Sequence, residues 1–407
     1  MILRKLEPGE HGKTRELWEK VFSDDTKAFL DYYYYIKTRD NEIWVIEEEG
    51  QICSMIQLNP YKIRVGAKEF PSAYIIAVAT REPYRGRGFM GVLLRKTLEE
   101  MQHKKMPFTF LMPAAEAIYT PYDFRFIYSQ KTGTVDPSRQ GFCSEQEADE
   151  PQQQNKTDLP AGLQAAELRA NRETVRVTFS DAGLWDAQRL ADFFLENFDG
   201  QYQVCTVRDT AYYQTMIMEQ ASERGGVRMI EEEGSLRGYY AYADEGGLEI
   251  REPLYLDGYE EEFLRSVSEL AKGRADKIPA AACPPGYAEQ EKPLIMARIV
   301  SLPEFLSALS VPEDQEMSCS FAVIDPILTK NSRVWKLESG IGESAVSVRE
   351  TEDSEGVIPV AELTEYLFGR IGVSELGRRE GVILSPHLEE ELEKITKLTR
   401  TWFNEVV

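Results

Sequence analysis

Apolar positions recur at two spacings along the first 135 residues, and the switching between them predicts a mixed α/β domain. Residues Glu42–Glu47 alternate with period two, and Ile52–Leu58 follows across a Glu-Glu-Gly50 turn, which predicts two strands. Tyr61–Val65 and Ala73–Thr80 predict a second pair about the turn-forming Gly66. The stretch from Ser23 to Thr26 reads as the cap of a helix over Lys27–Tyr35. Phe89–His103 has helical spacing, with Met90, Leu93, Leu94 and Met101 on one face and Leu98 at its edge. Phe108–Met112 then reads as a strand between Pro107 and Pro113.

The apolar pattern stops at residue 137. Residues 137–172 are polar and carry few groups that could offset the entropy of ordering them, so a linker or exposed loop is expected there. Val175–Phe179, Gly226–Ile230 and Arg237–Ala243 read as strands, and Leu184–Asn197 and Tyr259–Leu270 as helices. The passage from Glu252 to Tyr259 contains no glycine-rich phosphate loop. A stretch rich in Pro, Gly and Ala at 280–288 marks another boundary. Strand signals follow at Ile295–Ile299, Cys319–Val323 and Ala345–Val348, with a closing helix over Pro386–Phe403. The organisation expected is 1–136, the linker 137–172, then 173–290 and 291–407.

Composition narrows the chemistry. The 407 residues exceed one ordinary core. A net charge of −22 disfavours nucleic acid and suits a cationic substrate. Five scattered cysteines without a CxxC pair read as reduced thiols, and three histidines make a metal site or a Ser-His-Asp triad a poor expectation. No apolar run near Ala73–Ala79 reaches the roughly 20 residues of a membrane helix. A cytoplasmic protein without metal, membrane or nucleic-acid partner is the expectation.

The informative stretch runs from Tyr74 to Leu94. A buried strand enters a loop in which Gly86 and Gly88 alternate with Arg85 and Arg87, and an amphipathic helix begins at once. Amides at a helix N-terminus, glycines that let the backbone approach closely, and two arginines together make an anion site. The spacing is neither that of a Rossmann loop nor that of a nucleotide P-loop.

Arg85-Gly-Arg-Gly88-Phe-Met90 resembles motif A of the GNAT acetyltransferases, with Met90 where a small residue is usual. The resemblance implies acetyl-CoA as co-substrate, its pantetheine arm on the backbone of Ala77, Val78 and Ala79. Its pyrophosphate would rest on amides from Arg85 to Gly91, through Gly86, Arg87, Gly88, Phe89 and Met90. Leu58-Asn-Pro-Tyr61, Val78-Ala-Thr80, Glu116-Ala-Ile-Tyr119 and Met296-Ala-Arg-Ile-Val300 further resemble the Eis-like (enhanced intracellular survival) acetyltransferases. That family implies tandem GNAT folds, the second without the CoA loop, followed by a sterol-carrier-protein-type α+β domain, and it allows a homo-oligomer.

The same resemblance gives roles to single residues. Tyr119 is expected as the general acid for the leaving thiolate, with Tyr122 as fallback. The carboxylate of Val407 is expected as the base, with Glu405 nearby as the alternative. Tyr32 to Tyr35 border the acceptor cleft in the family, so Tyr32 and Tyr35 become candidate substrate contacts. The expected acceptor is an amine on an aminoglycoside, polyamine or lysine peptide. The competing reading is a non-catalytic acyl-CoA or lipid-binding sensor or carrier.

Overall fold

The computed structural model describes residues 1–137, 176–273 and 277–405. The stretch expected as a linker lies, from residue 138 on, outside them. The chain forms two compact units. One comprises residues 1–130, 194–215 and 291–407, and the other 131–193 and 216–290.

The first part of the chain runs β1 (Ile2–Lys5), α1 (Arg15–Val21), α2 (Lys27–Tyr35), β2 (Glu42–Glu48), β3 (Gln51–Val65) and β4 (Lys68–Thr80). It continues through α3 (Phe89–His103), β5 (Phe108–Leu111), α4 (Glu116–Tyr119) and β6 (Arg125–Val135). Its strands pair in the order β1-β2-β3-β4-β5, antiparallel except for β4 with β5. The cap expected before α2 is present, with the Thr26 hydroxyl accepting from the Phe29 amide.

The expected pair of strands at 52–58 and 61–65 is instead one strand, β3, running through Pro60. Proline lacks the amide that a central strand needs. Here β2 has stopped pairing at Leu58, and the next neighbour on that side begins at Ile63, so Pro60 faces no ladder there and is exposed. On α3 the buried face holds Phe89, Leu93, Leu94, Leu98 and Met101, while Met90 is only half-buried. Leu98 therefore belongs to the centre of that face and Met90 to its margin.

The middle of the chain runs β7 (Val177–Asp181), α5 (Ala187–Asn197), β8 (Val204–Thr206), α6 (Thr210–Ser222), β9 (Gly226–Glu232) and β10 (Ser235–Ala243). Then come β11 (Glu249–Tyr255), α7 (Glu260–Ala271) and β12 (Ile278–Ala281). Pairing follows β7-β9-β10-β11-β12, again antiparallel until the final parallel pair. One topology thus occurs twice in the chain. The helix expected from Leu184 starts at Ala187 after a single tighter turn, closed by the Asp186 carboxylate on the Gly183 amide at 2.9 Å. Leu184 is consequently exposed rather than in the core. The passage expected at 252–259 is strand as far as Tyr255.

The last part comprises β13 (Ala288–Ile299), α8 (Leu302–Leu306), β14 (Met317–Ile324), β15 (Val334–Ser339), β16 (Ser347–Thr351) and β17 (Gly356–Pro359). It ends with α9 (Val360–Leu367), α10 (Val373–Leu376), β18 (Ile383–Leu384), α11 (Pro386–Glu393) and β19 (Thr401–Trp402). Strands β16-β15-β14-β17-β18 form a separate sheet. Its core is continuous with that of the first domain: Phe108 and Phe110 of β5 share one buried cluster with Phe305, Phe321, Trp335, Tyr366 and Phe403. Met296–Ile299 of β13 lies antiparallel beside Phe108–Leu111 of β5.

The closing helix expected to reach Phe403 stops at Glu393. The sequence beyond it is rich in β-branched threonines, which lose rotamer freedom in a helix. The amides of Thr396 and Leu398 bond instead to the carbonyls of Ser310 and Leu367, at 2.9 and 2.8 Å. Thr401 and Trp402 then lie parallel to β8, which itself pairs with Ile63–Val65 of β3. Phe403 is fully buried, its ring 4.9 Å from that of Phe110. Replacing it by alanine should therefore cost about 3–5 kcal/mol. Chemical unfolding of the full chain measures this, and a loss under about 1 kcal/mol would mean that the chain end is not anchored through that ring.

Candidate active site

The site is built where β4 and β5 part. They are bound where β5 begins, by the Ser72 hydroxyl on the Phe108 carbonyl (2.8 Å) and the Thr109 hydroxyl on the Ala73 carbonyl (2.7 Å). Their single paired position is Tyr74 with Phe110. Three residues later Ala77 has φ +51°, and the register with β3 slips between Met55 and Gln57. A bulge of this kind bends its strand and re-aims the backbone. Ala77 and Ala79 are buried and Val78 half-buried. The Ala79 carbonyl accepts from Ser54, while the β5 side of this stretch has no paired strand among the described residues. The backbone expected to meet the pantetheine arm thus lines an opening between strands.

The glycine loop follows directly. Gly86 and Gly88 have φ of +74° and +78°, and Gly88 caps α3 in that left-handed conformation. The first helical hydrogen bond runs from the Val92 amide to the Gly88 carbonyl, so the amides of Phe89, Met90 and Gly91 precede the ladder. These three amides and the helix dipole face the loop. The two arginines differ. Arg85 spends its Nε on the Thr80 carbonyl (3.2 Å), and its terminal nitrogens meet no partner among the described residues. Arg87 is held by both carboxylate oxygens of Glu48, at 2.9 and 3.1 Å, with its guanidinium 4.7 Å from the Phe89 ring centre.

Tyr119 sits at the end of α4, in the same buried cluster as Phe89, Leu93 and Leu94 of α3. It is 7% exposed, and no described residue hydrogen-bonds its hydroxyl. Burial alone pushes that hydroxyl up to about 12. Tyr122 lies against the start of α3: a methyl group on Gly91 would come within 2.3 Å of its hydroxyl oxygen. Gly91 is therefore required by the approach of Tyr122, a reason separate from phosphate binding.

The other expected residues spread out. Tyr35 is exposed, whereas Tyr32 is buried and donates to the Thr215 carbonyl at 3.4 Å. Tyr33 is fully buried and donates to Asn59 at 2.7 Å. Glu405 is buried and accepts from the hydroxyls of Thr206 (2.5 Å) and Tyr212 (3.0 Å), with Arg208 at 3.9 Å. A carboxylate so surrounded secures the chain end. Val407 lies outside the described residues. Among those residues no group of His, Cys, Asp or Glu is arranged to hold a metal ion, and no helix is long and apolar enough to cross a membrane.

The second repeat keeps the bulge and alters the rest. Glu252 of β11 has φ +50°, just after the parallel contact of β11 with β12 ends. Its following helix, α7, opens with Glu260, Glu261 and Glu262 in the first turn. Three carboxylates there satisfy the dipole that a phosphate would need.

A family model for the acetyltransferase (GNAT) domain matches residues 3–127, and one for a sterol carrier protein domain matches 302–404. Solved structures share the fold over nearly the whole chain. One is a conserved protein of Enterococcus faecalis V583, at 17% identity, 97% of each chain and TM-score 0.75. A GCN5-related N-acetyltransferase from Anabaena variabilis shows 15% identity over 98% of this chain and 99% of its own, at TM-score 0.72. Eis1 from Mycobacterium abscessus shows 14% identity over 98% of both, at TM-score 0.66. No curated protein sequence matches this one. With its phosphate-type loop, its repeated topology and its C-terminal sheet, this chain carries a GNAT acetyltransferase domain and a sterol carrier protein domain within a fold like that of Eis1.

Proposed function

We propose that the protein transfers the acetyl group of acetyl-CoA directly to an amine in its first repeat, with Tyr119 as general acid. The observation that carries this is the pairing of a helix start of unspent amides with a buried tyrosine whose hydroxyl meets no hydrogen-bond partner among the described residues. The amides of Phe89, Met90 and Gly91 would hold the pyrophosphate, with Arg85 free to add charge-assisted hydrogen bonds. The parted backbone at Ala77 to Ala79 would carry the pantetheine arm and thioester.

The amine nitrogen then attacks the thioester carbon, and the carbonyl oxygen becomes an oxyanion. As that intermediate collapses, the C–S bond breaks and the sulfur takes the Tyr119 proton, while the new ammonium loses its own to base or solvent. A hydroxyl raised to about 12 stays protonated at neutral pH and holds its proton for the thiolate. The acidic chain suits a cationic acceptor, of the aminoglycoside, polyamine or lysine-peptide class. A turnover screen of acetyl-CoA against kanamycin, spermidine and a lysine peptide tests this; no CoA release with any of them would count against an amine transferase.

At Gly88 the left-handed φ disfavours any L side chain by about 1–2 kcal/mol. The space around its Cα is open, so an added side chain would project where the phosphate is expected. Gly88→Val should weaken CoA binding by about tenfold or more while circular dichroism stays unchanged. Calorimetry giving an unaltered Kd would remove the loop from the proposal.

Tyr119→Phe should lower kcat by about 10²-fold and leave CoA affinity alone, because only the transferable proton is lost. The pH profile follows from the raised hydroxyl. Below its folded value of about 12 the acid remains protonated, whereas an ordinary tyrosine starts to ionise near 10. Wild-type kcat/KM should thus rise as the acceptor amine deprotonates and show no fall up to pH about 10. A descending limb below that value which disappears in Tyr119→Phe would contradict the assignment.

A further inference from the structure

The turn that carries Tyr119 is held from behind by an arginine that solvent does not reach. Arg298, near the end of β13, is 0% exposed, and its guanidinium is shared among four oxygens. Nε donates to the Tyr122 carbonyl at 2.9 Å and Nη1 to the Ile299 carbonyl at 2.7 Å. Nη2 reaches Asp325 Oδ1 at 2.6 Å and Asp123 Oδ2 at 3.5 Å. Asp123 follows Tyr122 directly and has φ +64°, a left-handed conformation that aspartate tolerates better than most side chains.

Asp325 stands just after β14, in the C-terminal domain, and is also buried. Its Oδ1 accepts from the amides of Ile327 and Leu328, at 3.0 and 2.7 Å, and its Oδ2 from Asn331 at 2.9 Å. Asn331 in turn donates to the Val300 carbonyl at 3.1 Å and accepts from Gln102 of α3 at 3.2 Å. One buried polar chain therefore runs from the C-terminal domain to two elements of the first domain: the turn after α4 and the C-terminal end of α3.

Stability alone is a weak reason for such a chain, because a buried ion pair can often be replaced by apolar residues without loss. Geometry is a better one. Only a planar fork reaches a carbonyl, a carboxylate and a second carbonyl at once, and lysine cannot imitate it. The grip is on the backbone at Tyr122 and the side chain of Asp123, two elements of the turn that sets where Tyr119 and Tyr122 point.

We propose that Arg298, oriented by Asp325, is a positioning residue for acetyl transfer: it fixes the turn 119–124 so that the Tyr119 hydroxyl is held at the leaving sulfur. The proposal rests on the reading of Tyr119 as the acid. It also gives the sterol-carrier-protein domain a share in catalysis, through the side chain of Asp325 and without a ligand of its own.

A double-mutant cycle in the full-length chain tests it, with acetyl-CoA and the fastest of the three acceptors named above. Arg298→Lys should lower kcat by about tenfold or more while KM for acetyl-CoA stays within about twofold, as a displaced catalytic group does. In a Tyr119→Phe background the same change should lower kcat by less than about twofold, because the proton it positions is already gone. Asp325→Asn keeps the volume and the arginine, should show the same coupling to Tyr119, and serves where Arg298→Lys folds poorly. Equal losses in both backgrounds, beside an impaired Tyr119→Phe, would overturn the positioning role alone. A Tyr119→Phe enzyme at wild-type kcat would instead overturn the acid assignment and this inference with it.

Discussion

Past Tyr74 the two central strands of the first repeat stop pairing, and each part of the candidate site depends on that separation. Parallel strands in a continuous sheet leave no room for a ligand between them, since their backbone groups are spent on each other. Here Ser72 and Thr109 bolt the pair together at one end, and the bulge at Ala77 turns β4 away at the other. Without the bolts the strands would not start side by side. Without the bulge β4 would keep to its ladder, and the glycine loop and α4 would have no opening between them. The cost of φ +51° at an alanine is carried by the buried packing around it.

The second repeat shows that the bulge alone confers no phosphate site. It retains a left-handed residue in the equivalent strand, yet that residue is the buried Glu252, with the Tyr239 hydroxyl 3.4 Å away. Its helix begins with glutamates. What separates the two repeats is the chemistry at the helix start: glycines with unspent amides in one, carboxylates in the other. Among the described residues, the duplicated topology therefore carries its phosphate-type loop in the first repeat.

The loop was legible because its signal is local. Glycine positions, helix spacing and flanking strand lie within about twenty residues of sequence, and α3 begins and ends where its periodicity says. Tertiary context overrode the pattern elsewhere. Pro60 argues for a break, but the strand continues because no described strand pairs with it on that side. Leu388, Leu392 and Ile395 are buried, yet the backbone after Glu393 turns to the carbonyls of Ser310 and Leu367. The expected organisation into separate first and third domains could not show that β5 shares one core with the C-terminal sheet, because that contact joins residues far apart in the chain. Arg298 was visible only as part of a motif; its role as a buried fork needs Asp123 and Asp325 brought together by folding.

Charge at the loop differs from what two arginines in sequence suggest. Arg87 is neutralised by Glu48 and laid over Phe89, so its contribution to an incoming phosphate is reduced to that of a paired ion. Arg85 alone keeps its terminal nitrogens without a partner among the described residues. In a chain of net charge −22 this arrangement has a physical logic. Exposed cations on such a surface would attract the protein's own carboxylates, as Arg87 has done. Backbone amides cannot be neutralised in that way, because their orientation is fixed by the helix and their dipoles persist with or without a counterion nearby. The anion site of an acidic protein is thus best built from α3's first turn, with the bulge exposing it and Gly88 shaping it, and with the arginines as secondary contributors.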